Sequence, residues 1–208
     1  MILNDQVNFV GVFSIKAFNA DGTVDEYTEK NLIMDEARRN MAQLVGGVTS
    51  TGGTQGMHIN QFVLGTKGHN GTDILNYIKV GDAGFTSART SLFSEATTGA
   101  KNYRISFDVT GGLDVTDAKA TGRMYAGGAA GITDSTKNTV RRVVSDRTVT
   151  YTITVPATNA NSRDADNPVV AYTEAALYAG AEIFSMKTFP ARVKEDTVKF
   201  EITWSIIF

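Results

Sequence analysis

The stretch that decides the fold is residues 169–208, VVAYTEAALYAGAEIFSMKTFPARVKEDTVKFEITWSIIF. Its last part alternates strictly, with apolar side chains on one side at Phe200, Ile202, Trp204 and Ile206. The opposite side carries the polar Lys199, Glu201, Thr203 and Ser205. A repeat of two residues is typical of a β-strand with one buried face. We expect this stretch to pack into the fold or against a partner chain, because an exposed edge of Trp, Ile and Phe would invite aggregation.

Further strands are predicted upstream by the same alternation. Residues 7–18 and 23–29 predict a hairpin around the turn 19–22, where Gly22 suits a left-handed backbone. Other strand patterns lie at 59–64, 103–109 and 139–155. The clearest of them places apolar side chains on one face, at Val149, Tyr151, Ile153 and Val155, with threonines between them.

One helix is predicted, at about residues 31–45. Asn31 is a suitable N-cap, and Asp35 and Glu36 lie near the positive end of the helix dipole. Apolar side chains recur at helical spacing, at Ile33, Ala37, Met41 and Leu44. Two glycines, Gly46 and Gly47, supply the stop signal.

The remaining segments are polar and rich in glycine. Residues 46–56 are dominated by Gly, Ser and Thr, and 158–167 form a second polar loop. Residues 111–138 contain few large apolar side chains and are predicted to be a loop or an insertion. Many strands with one helix indicate a mainly β fold, an antiparallel β-sandwich or barrel-like domain over residues 1–208 with long Gly/Thr-rich loops.

Composition excludes several classes of protein. The chain has 208 residues, a net charge of −2 and a pI near 5.7, too balanced for a nucleic-acid-binding surface. There is no cysteine, so no disulfide or thiolate metal site can form. Residues 1–13 lack the basic and apolar regions of a signal peptide, and no apolar run reaches membrane-spanning length. We therefore expect a soluble protein made in the cytosol.

No catalytic, cofactor-binding or metal-binding residues are predicted. The two histidines, His58 and His69, do not have the spacing of metal ligands. The turn 65–68 contains Gly-Thr-Lys-Gly but lacks the spacing of a phosphate-binding loop. Asp164 and Asp166 offer oxygen atoms in one loop, where a solvated turn is favoured and a weak calcium site remains an alternative.

The charged residues of the strands are predicted to have structural roles. Three arginines form a small cluster near Asp134 and Asp146 and are interpreted as ion pairs on a strand face: Arg141, Arg142 and Arg147. Asp108 and Glu174 lie on predicted strands. A buried glutamate must be paired, and Lys187 or Lys194 are suitable partners for Glu174.

The C-terminal stretch also carries a pattern of motifs. It contains Glu-Ala-Ala-Leu-Tyr at 174–178, Ile-Phe at 183–184, then single residues at Lys187, Phe189, Pro190, Lys194, Trp204, Ile206 and Phe208. A second pattern, nearer the start, comprises Lys-Asn-Leu-Ile at 30–33, Ala37, Arg38, Gly46-Gly47 and Phe-Val-Leu-Gly-Thr at 62–66. In both patterns the chain resembles small virion structural proteins of tailed bacteriophages, of the tail, baseplate or collar type. Residues 80 to 170 carry no such match.

The resemblance implies a function in particle assembly. It implies a non-enzymatic virion structural protein, present in several copies in the tail, baseplate, neck or collar. The expected partners are other virion proteins and copies of the same chain, with no nucleic acid, membrane or cofactor. The alternatives are a receptor- or carbohydrate-binding domain of a phage fibre and a capsid decoration protein. A polysaccharide-cleaving enzyme would need acidic residues clustered in a cleft.

Overall fold

The structure is a computed structural model that describes residues 9–45, 58–82, 84–126, 131–134, 138–161 and 169–208. Within these residues the chain is mainly β and contains one helix, near the N-terminus, as predicted. All strands belong to one antiparallel sheet that is curled into a half-barrel. The mainly β, antiparallel, barrel-like fold expected from the sequence is therefore confirmed.

The elements follow one another along the chain with these bounds: β1 Val10–Phe18, β2 Val24–Ile33, α1 Asp35–Val45, β3 Gln61–Gly65, β4 Lys101–Ser106, β5 Asp114–Asp117, β6 Thr121–Ala126, β7 Thr133–Asp134, β8 Thr139–Ser145, β9 Thr148–Val155, β10 Val170–Ala179, β11 Glu182–Lys194 and β12 Lys199–Ile207. Their order in the sheet is β5-β8-β9-β12-β1-β2-β11-β10-β3-β4-β6-β7. We call β5 to β2 in this order the first half-sheet, and β11 to β7 the second half-sheet.

The sheet must fold over on itself because of two connections. Strand β2 pairs with β1 along most of its length, but with β11 only through Leu32 and Ile33. Strands β5 and β6 belong to different half-sheets, yet residues 118–120 alone join them. Such a link spans at most roughly 14 Å. The ends of the strand order are therefore held close together, and the two half-sheets lie face to face.

An aromatic core fills the space between the half-sheets. The rings of Trp204 and Phe13 lie 4.9 Å apart on neighbouring strands of the first half-sheet. Phe62 of β3 approaches Trp204 from the other side at 6.3 Å, and Phe189 of β11 stacks on Phe13 at 5.2 Å. The alternating apolar residues of β12 are all buried, as predicted: Phe200, Ile202, Trp204 and Ile206.

The opposite face of the second half-sheet is covered by irregular chain. We call residues 66–100, of which 83 is not described, the covering segment. It places Ile78, Phe85 and Leu92 against a second apolar cluster, which includes sheet residues Val63, Ala176, Tyr178, Ile183 and Met186. Each face of the second half-sheet thus has its own buried layer.

The helix begins four residues later than predicted. Asn31 is not its N-cap, because β2 continues through Ile33, where Leu32 and Ile33 pair with β11. The Asn31 side chain instead donates a hydrogen bond to Ser185 Oγ. Asp35 and Glu36 lie in the first helical turn, as expected. Gly46 and Gly47 lie outside the described residues.

Residues 111–138 are not one long loop, which corrects the prediction. They contain β5, β6 and β7. Strand β6 pairs with β4 along its full length, and its alternation is carried by the buried Gly122 and Met124. Strand β6 has no large apolar side chain at position 122 because the Tyr103 side chain occupies that space. A Cβ atom on Gly122 would lie only 1.6 Å from the Tyr103 hydroxyl oxygen.

The other predicted strands are present with shifted ends. The β1–β2 hairpin turns at Gly22, whose φ is +81°. The region 139–155 forms the β8–β9 hairpin, and strand 103–109 ends at Ser106, so that Asp108 lies beyond it. The predicted loop 46–56, and 162–167 of the second polar loop, lie outside the described residues.

Candidate functional site

Glu174 is a fully buried carboxylate held by the backbone of the covering segment. Strand β10 turns its side chain to the outer face of the second half-sheet. Its Oε1 accepts hydrogen bonds from the backbone N–H groups of Ser94 and Lys67 at 2.7 and 3.3 Å, and its Oε2 from Phe93 at 2.8 Å. Burial raises the pKa of Glu174, and these N–H donors oppose the rise. The carboxylate therefore ties two parts of an irregular segment to the sheet.

The lysines predicted to pair with Glu174 do not do so. Lys187 donates a hydrogen bond to Glu29 Oε2 at 2.5 Å. Lys194 donates to the backbone oxygens of Ala157 and Glu195, at 2.6 and 3.0 Å. Burial lowers the pKa of Lys194 to about 8. Glu174 is fully buried, and the partners that satisfy its carboxylate are backbone amides and not lysines.

The Gly-Thr-Lys-Gly turn at 65–68 explains this arrangement. A Cβ atom on Gly65 would lie 2.6 Å from Glu174 Oε1, and one on Gly68 would lie 2.5 Å from the Thr173 carbonyl oxygen. The Gly68 N–H donates to Thr173 Oγ1 at 2.9 Å. The glycines thus serve the close approach of this turn to β10.

A surface cleft lies beside this carboxylate, and we call it the Arg104 cleft. Its volume is about 520 Å³. It is lined by Ser94, Glu95, Ala96, Thr97, Thr98, Ala100, Asn102, Arg104 and Tyr125. One wall is therefore covering segment and the other is formed by β4 and β6, where Asn102 pairs opposite Tyr125.

A closed network fixes the charged side chains of the Arg104 cleft. Glu95 accepts hydrogen bonds from the Leu92 N–H at 3.0 Å, from the Tyr178 hydroxyl and from the Arg104 guanidinium. The guanidinium also donates to Gln61 Oε1 and lies 4.8 Å from the Tyr178 ring centroid. Burial, with the charge of Glu95 beside it, raises the pKa of Tyr178. Both charges of the cleft are thus paired and held on rigid partners.

The second cleft, which we call the Lys187 cleft, lies over β2 and β11. Its volume is about 460 Å³, and it is lined by Glu29, Lys30, Tyr77, Lys79, Val80, Lys187 and Thr188. The buried Lys187 ammonium lies 5.6 and 5.9 Å from the ring centroids of Tyr27 and Tyr77. Its hydrogen bond to Glu29 is the main cause that lowers the pKa of that carboxyl group. A buried cation here combines an ion pair with aromatic contacts.

Two exposed apolar side chains of the covering segment lie in this region, and we call them the apolar rim: Val80 (56% exposed), which lines the Lys187 cleft, and Leu75 (66%). The segment that carries Leu75 is held against β11, close to an ion pair between β2 and β11. Asp25 pairs with Arg192 at 3.3 Å, and the Ala191 N–H donates to the Ile74 carbonyl oxygen at 3.1 Å. Clustered exposed apolar residues with a polar surround are typical of protein interaction sites.

None of the other described residues weighed from the sequence lines either cleft. His69 forms a backbone bridge with Tyr77, and His58 precedes β3. Arg141 pairs with Asp114 and not with the predicted Asp134, whereas Arg147 lies 3.8 Å from Asp146. The Asp108 N–H donates to Asp117 Oδ2 at 2.7 Å. Asp164 and Asp166 lie outside the described residues.

The described residues contain no group of three or more His, Asp or Glu side chains placed to hold a metal ion. None of their helical residues forms an apolar helix long enough to cross a membrane. No protein-family model, characterised protein or solved structure was found to match the chain.

Sequence reasoning missed the residues that build the two clefts. Glu95, Arg104 and Tyr77 lie in or against the covering segment, which has no helical or strand period to reveal which side chains face each other. The available signal was Gly65 and Gly68 beside the isolated Glu174, since two close glycines indicate a tight approach of backbone.

Proposed function

We propose that this protein is a structural subunit of a tailed-phage particle and assembles there in several copies. The observation that carries the proposal is where the C-terminal motif residues lie. Almost all of them are buried in the half-barrel: Glu174, Ala175, Ala176, Leu177, Tyr178, Ile183, Phe184, Lys187, Phe189, Lys194, Trp204 and Ile206. The motif that resembles virion proteins therefore specifies a scaffold and not a surface site.

The charged members of the motif support the same interpretation. Glu174 holds the covering segment, Lys187 closes onto Glu29, and Lys194 binds the backbone oxygens after β9 and β11. Each of these charges is costly to bury without partners, and each has them. Proteins that share one scaffold but differ in their surfaces would be expected to share polar residues with such internal roles.

The apolar rim is the surface that we assign to the contact between copies of the chain. The ion pairs nearest to it, Asp25–Arg192 and Glu29–Lys187, are closed within one chain. A neighbouring copy therefore covers the exposed Leu75 and Val80 without separating these charges. Repeated contacts of one kind between identical chains generate the rings of a virion.

Two measurements test the proposal. Mass spectrometry of purified particles should detect the chain at a copy number of at least several per particle. Native mass spectrometry of the purified chain should show a closed oligomer that the Leu75→Ser, Val80→Ser double variant weakens by at least tenfold in dissociation constant. Leu113→Ser is the matched control, because Leu113 is 70% exposed and immediately precedes β5, the strand at one end of the strand order.

Different results would overturn the two parts of the proposal. Absence of the chain from particles would contradict a role as a virion subunit. An oligomer that Leu113→Ser weakens as much as the double variant would contradict the assignment of the apolar rim.

A further inference from the structure

We propose that the Arg104 cleft binds a neutral carbohydrate through Asn102, Tyr125 and the Glu95–Arg104 pair. This binding activity is independent of the proposed role in assembly, because the cleft and the apolar rim share no residue. The cleft volume of about 520 Å³ lies within the usual range for small-ligand sites, roughly 300–1,000 Å³. It has room for roughly one to two sugar rings.

The lining has the chemistry that sugar hydroxyl groups require. Each hydroxyl both donates and accepts, so a sugar site needs donors and acceptors close together. Here Glu95 supplies carboxylate oxygens, Arg104 supplies guanidinium N–H groups, and Asn102 supplies both kinds of group from one amide. Thr98 adds a hydroxyl on the opposite wall.

An aromatic ring lies next to the amide. Asn102 and Tyr125 are directly paired on β4 and β6, so their Cβ atoms are cross-strand neighbours on one face of the sheet, about 4.5–5.5 Å apart. The C–H groups of a sugar ring pack against an aromatic ring, while the sugar hydroxyls reach the adjacent polar groups. The Arg123 guanidinium, 5.6 Å from the Tyr125 ring centroid, supports the ring.

Charge favours a neutral ligand in this cleft. Glu95 and Arg104 neutralise each other, and they are the charged groups of the lining. The Lys187 cleft differs, since Lys30 and Lys79 also line it beside the Glu29–Lys187 pair. An anionic ligand would gain more from that second cleft than from the Arg104 cleft.

The cleft is also organised before any ligand arrives. Glu174 fixes Phe93 and Ser94 at the start of one wall, and the Tyr178 hydroxyl and Leu92 N–H fix Glu95. Gln61 holds the Arg104 guanidinium from below. Side chains already held in place lose little conformational entropy on binding, which favours affinity for weak ligands such as sugars.

The test uses isothermal calorimetry and saturation-transfer NMR on the full chain. The probes are glucose, galactose, N-acetylglucosamine, maltose, lactose and cellobiose, with glucose 6-phosphate as the anionic comparison. We expect saturable binding of at least one neutral sugar with a dissociation constant of about 1 mM or below. We expect binding at least tenfold weaker in Asn102→Ala and in Tyr125→Ala, and largely retained in Tyr125→Phe.

Tyr77→Ala is the matched control, because Tyr77 is an aromatic residue of the Lys187 cleft. Thermal melts of each variant verify that the fold is kept. No saturable binding of any neutral probe would overturn the proposal. Binding that Tyr77→Ala weakens as much as Tyr125→Ala, or glucose 6-phosphate bound more tightly than glucose, would also overturn it. None of these outcomes changes whether the chain is found in particles.

Discussion

The two faces of the second half-sheet are buried in different ways. Its inner face meets the first half-sheet, and the contact is made by large rings from regular strands, such as Phe62 against Trp204. Its outer face meets the covering segment, whose apolar residues are fixed by polar contacts to the sheet, above all those of Glu174. The inner face is therefore held mainly by apolar area, whereas the outer face combines a smaller apolar layer with hydrogen bonds at fixed points.

This difference separates the stability of the fold from the shape of its surface. Loss of inner packing affects both half-sheets, because the same rings contact both. Loss of a polar anchor on the outer face releases one segment while the sheet remains, since local unfolding is limited to the residues that the anchor holds. The Arg104 cleft is built on that segment, so its geometry depends on the anchors.

The largest effect is expected at the inner face. Trp204→Ala should lower the free energy of unfolding by about 3–5 kcal/mol, because it empties the space between Phe13 and Phe62. Thr203→Ala, on the opposite face of the same strand, should change it by less than about 0.5 kcal/mol. Urea unfolding followed by circular dichroism measures both. Equal effects of the two substitutions would contradict the assignment of one buried face and one solvent-facing face to β12.

A smaller and more local effect is expected at the outer face. Glu174→Ala leaves the N–H groups of Lys67, Phe93 and Ser94 without their acceptor and should cost about 2–4 kcal/mol. Hydrogen exchange should accelerate in the covering segment well before it does in β9 and β12. Glu26→Ala, on an exposed part of β2, is the control. Uniform acceleration over the whole sheet would show that the outer face is not a separate unit.

The free energy of unfolding is expected to depend on pH through Lys194, the buried lysine at the C-terminal end of β11. The pKa of Lys194 in the folded chain, about 8, lies below the ordinary 10.5. Between these values the unfolded chain still holds the proton that the folded chain has released, so stability rises with pH. The gain between pH 8 and 10.5 is at most about 3 kcal/mol.

Lys194→Met provides the control for this measurement, because it keeps the length of the side chain and removes the titration. The difference in unfolding free energy between wild type and variant should change across pH 8 to 10.5 and be constant from pH 6 to 7.5. A constant difference over the whole range would contradict the lowered pKa.

The smallest effect is expected on the outer face of the first half-sheet. Lys16 and Glu26 form an ion pair there at 3.4 Å, with both side chains partly exposed. Lys16→Ala should change the free energy of unfolding by no more than about 0.5 kcal/mol, because water screens such pairs. A loss above 2 kcal/mol, measured in the same urea experiment, would mean that this face is energetically coupled to the core.

The same contrast explains what could be predicted from the sequence. Strands such as β12 and β9 carry large apolar residues at every second position, and their burial follows from that period. Strand β6 was missed because Gly122 and Met124 fill its inward positions, and only the position of Tyr103 reveals why a glycine suits that strand. A strand is therefore hard to predict from its own composition when its partner strand contributes the large side chain at the shared position.

The covering segment could not be predicted, for a different reason. Its contacts depend on single hydrogen bonds between residues far apart in the chain, such as Glu174 with Ser94. The sequence suggested lysine partners for Glu174, because opposite charge is the only pairing that a sequence displays directly. Backbone N–H groups occur at almost every position, so no residue type indicates which of them will act as donors.

The pairing of β1 with β12, in which Val10 lies opposite Ile207, has a consequence for biosynthesis. A ribosome adds about 5–20 residues per second, so roughly 10–40 s separate the emergence of the two strands. During that interval the β1–β2 hairpin is marginally stable alone and presents Phe13, Ile15 and an unpaired strand edge to neighbouring nascent chains. The half-barrel can therefore be completed only once β12 has been synthesised, and its yield in cells will depend on temperature and on chaperones during this delay.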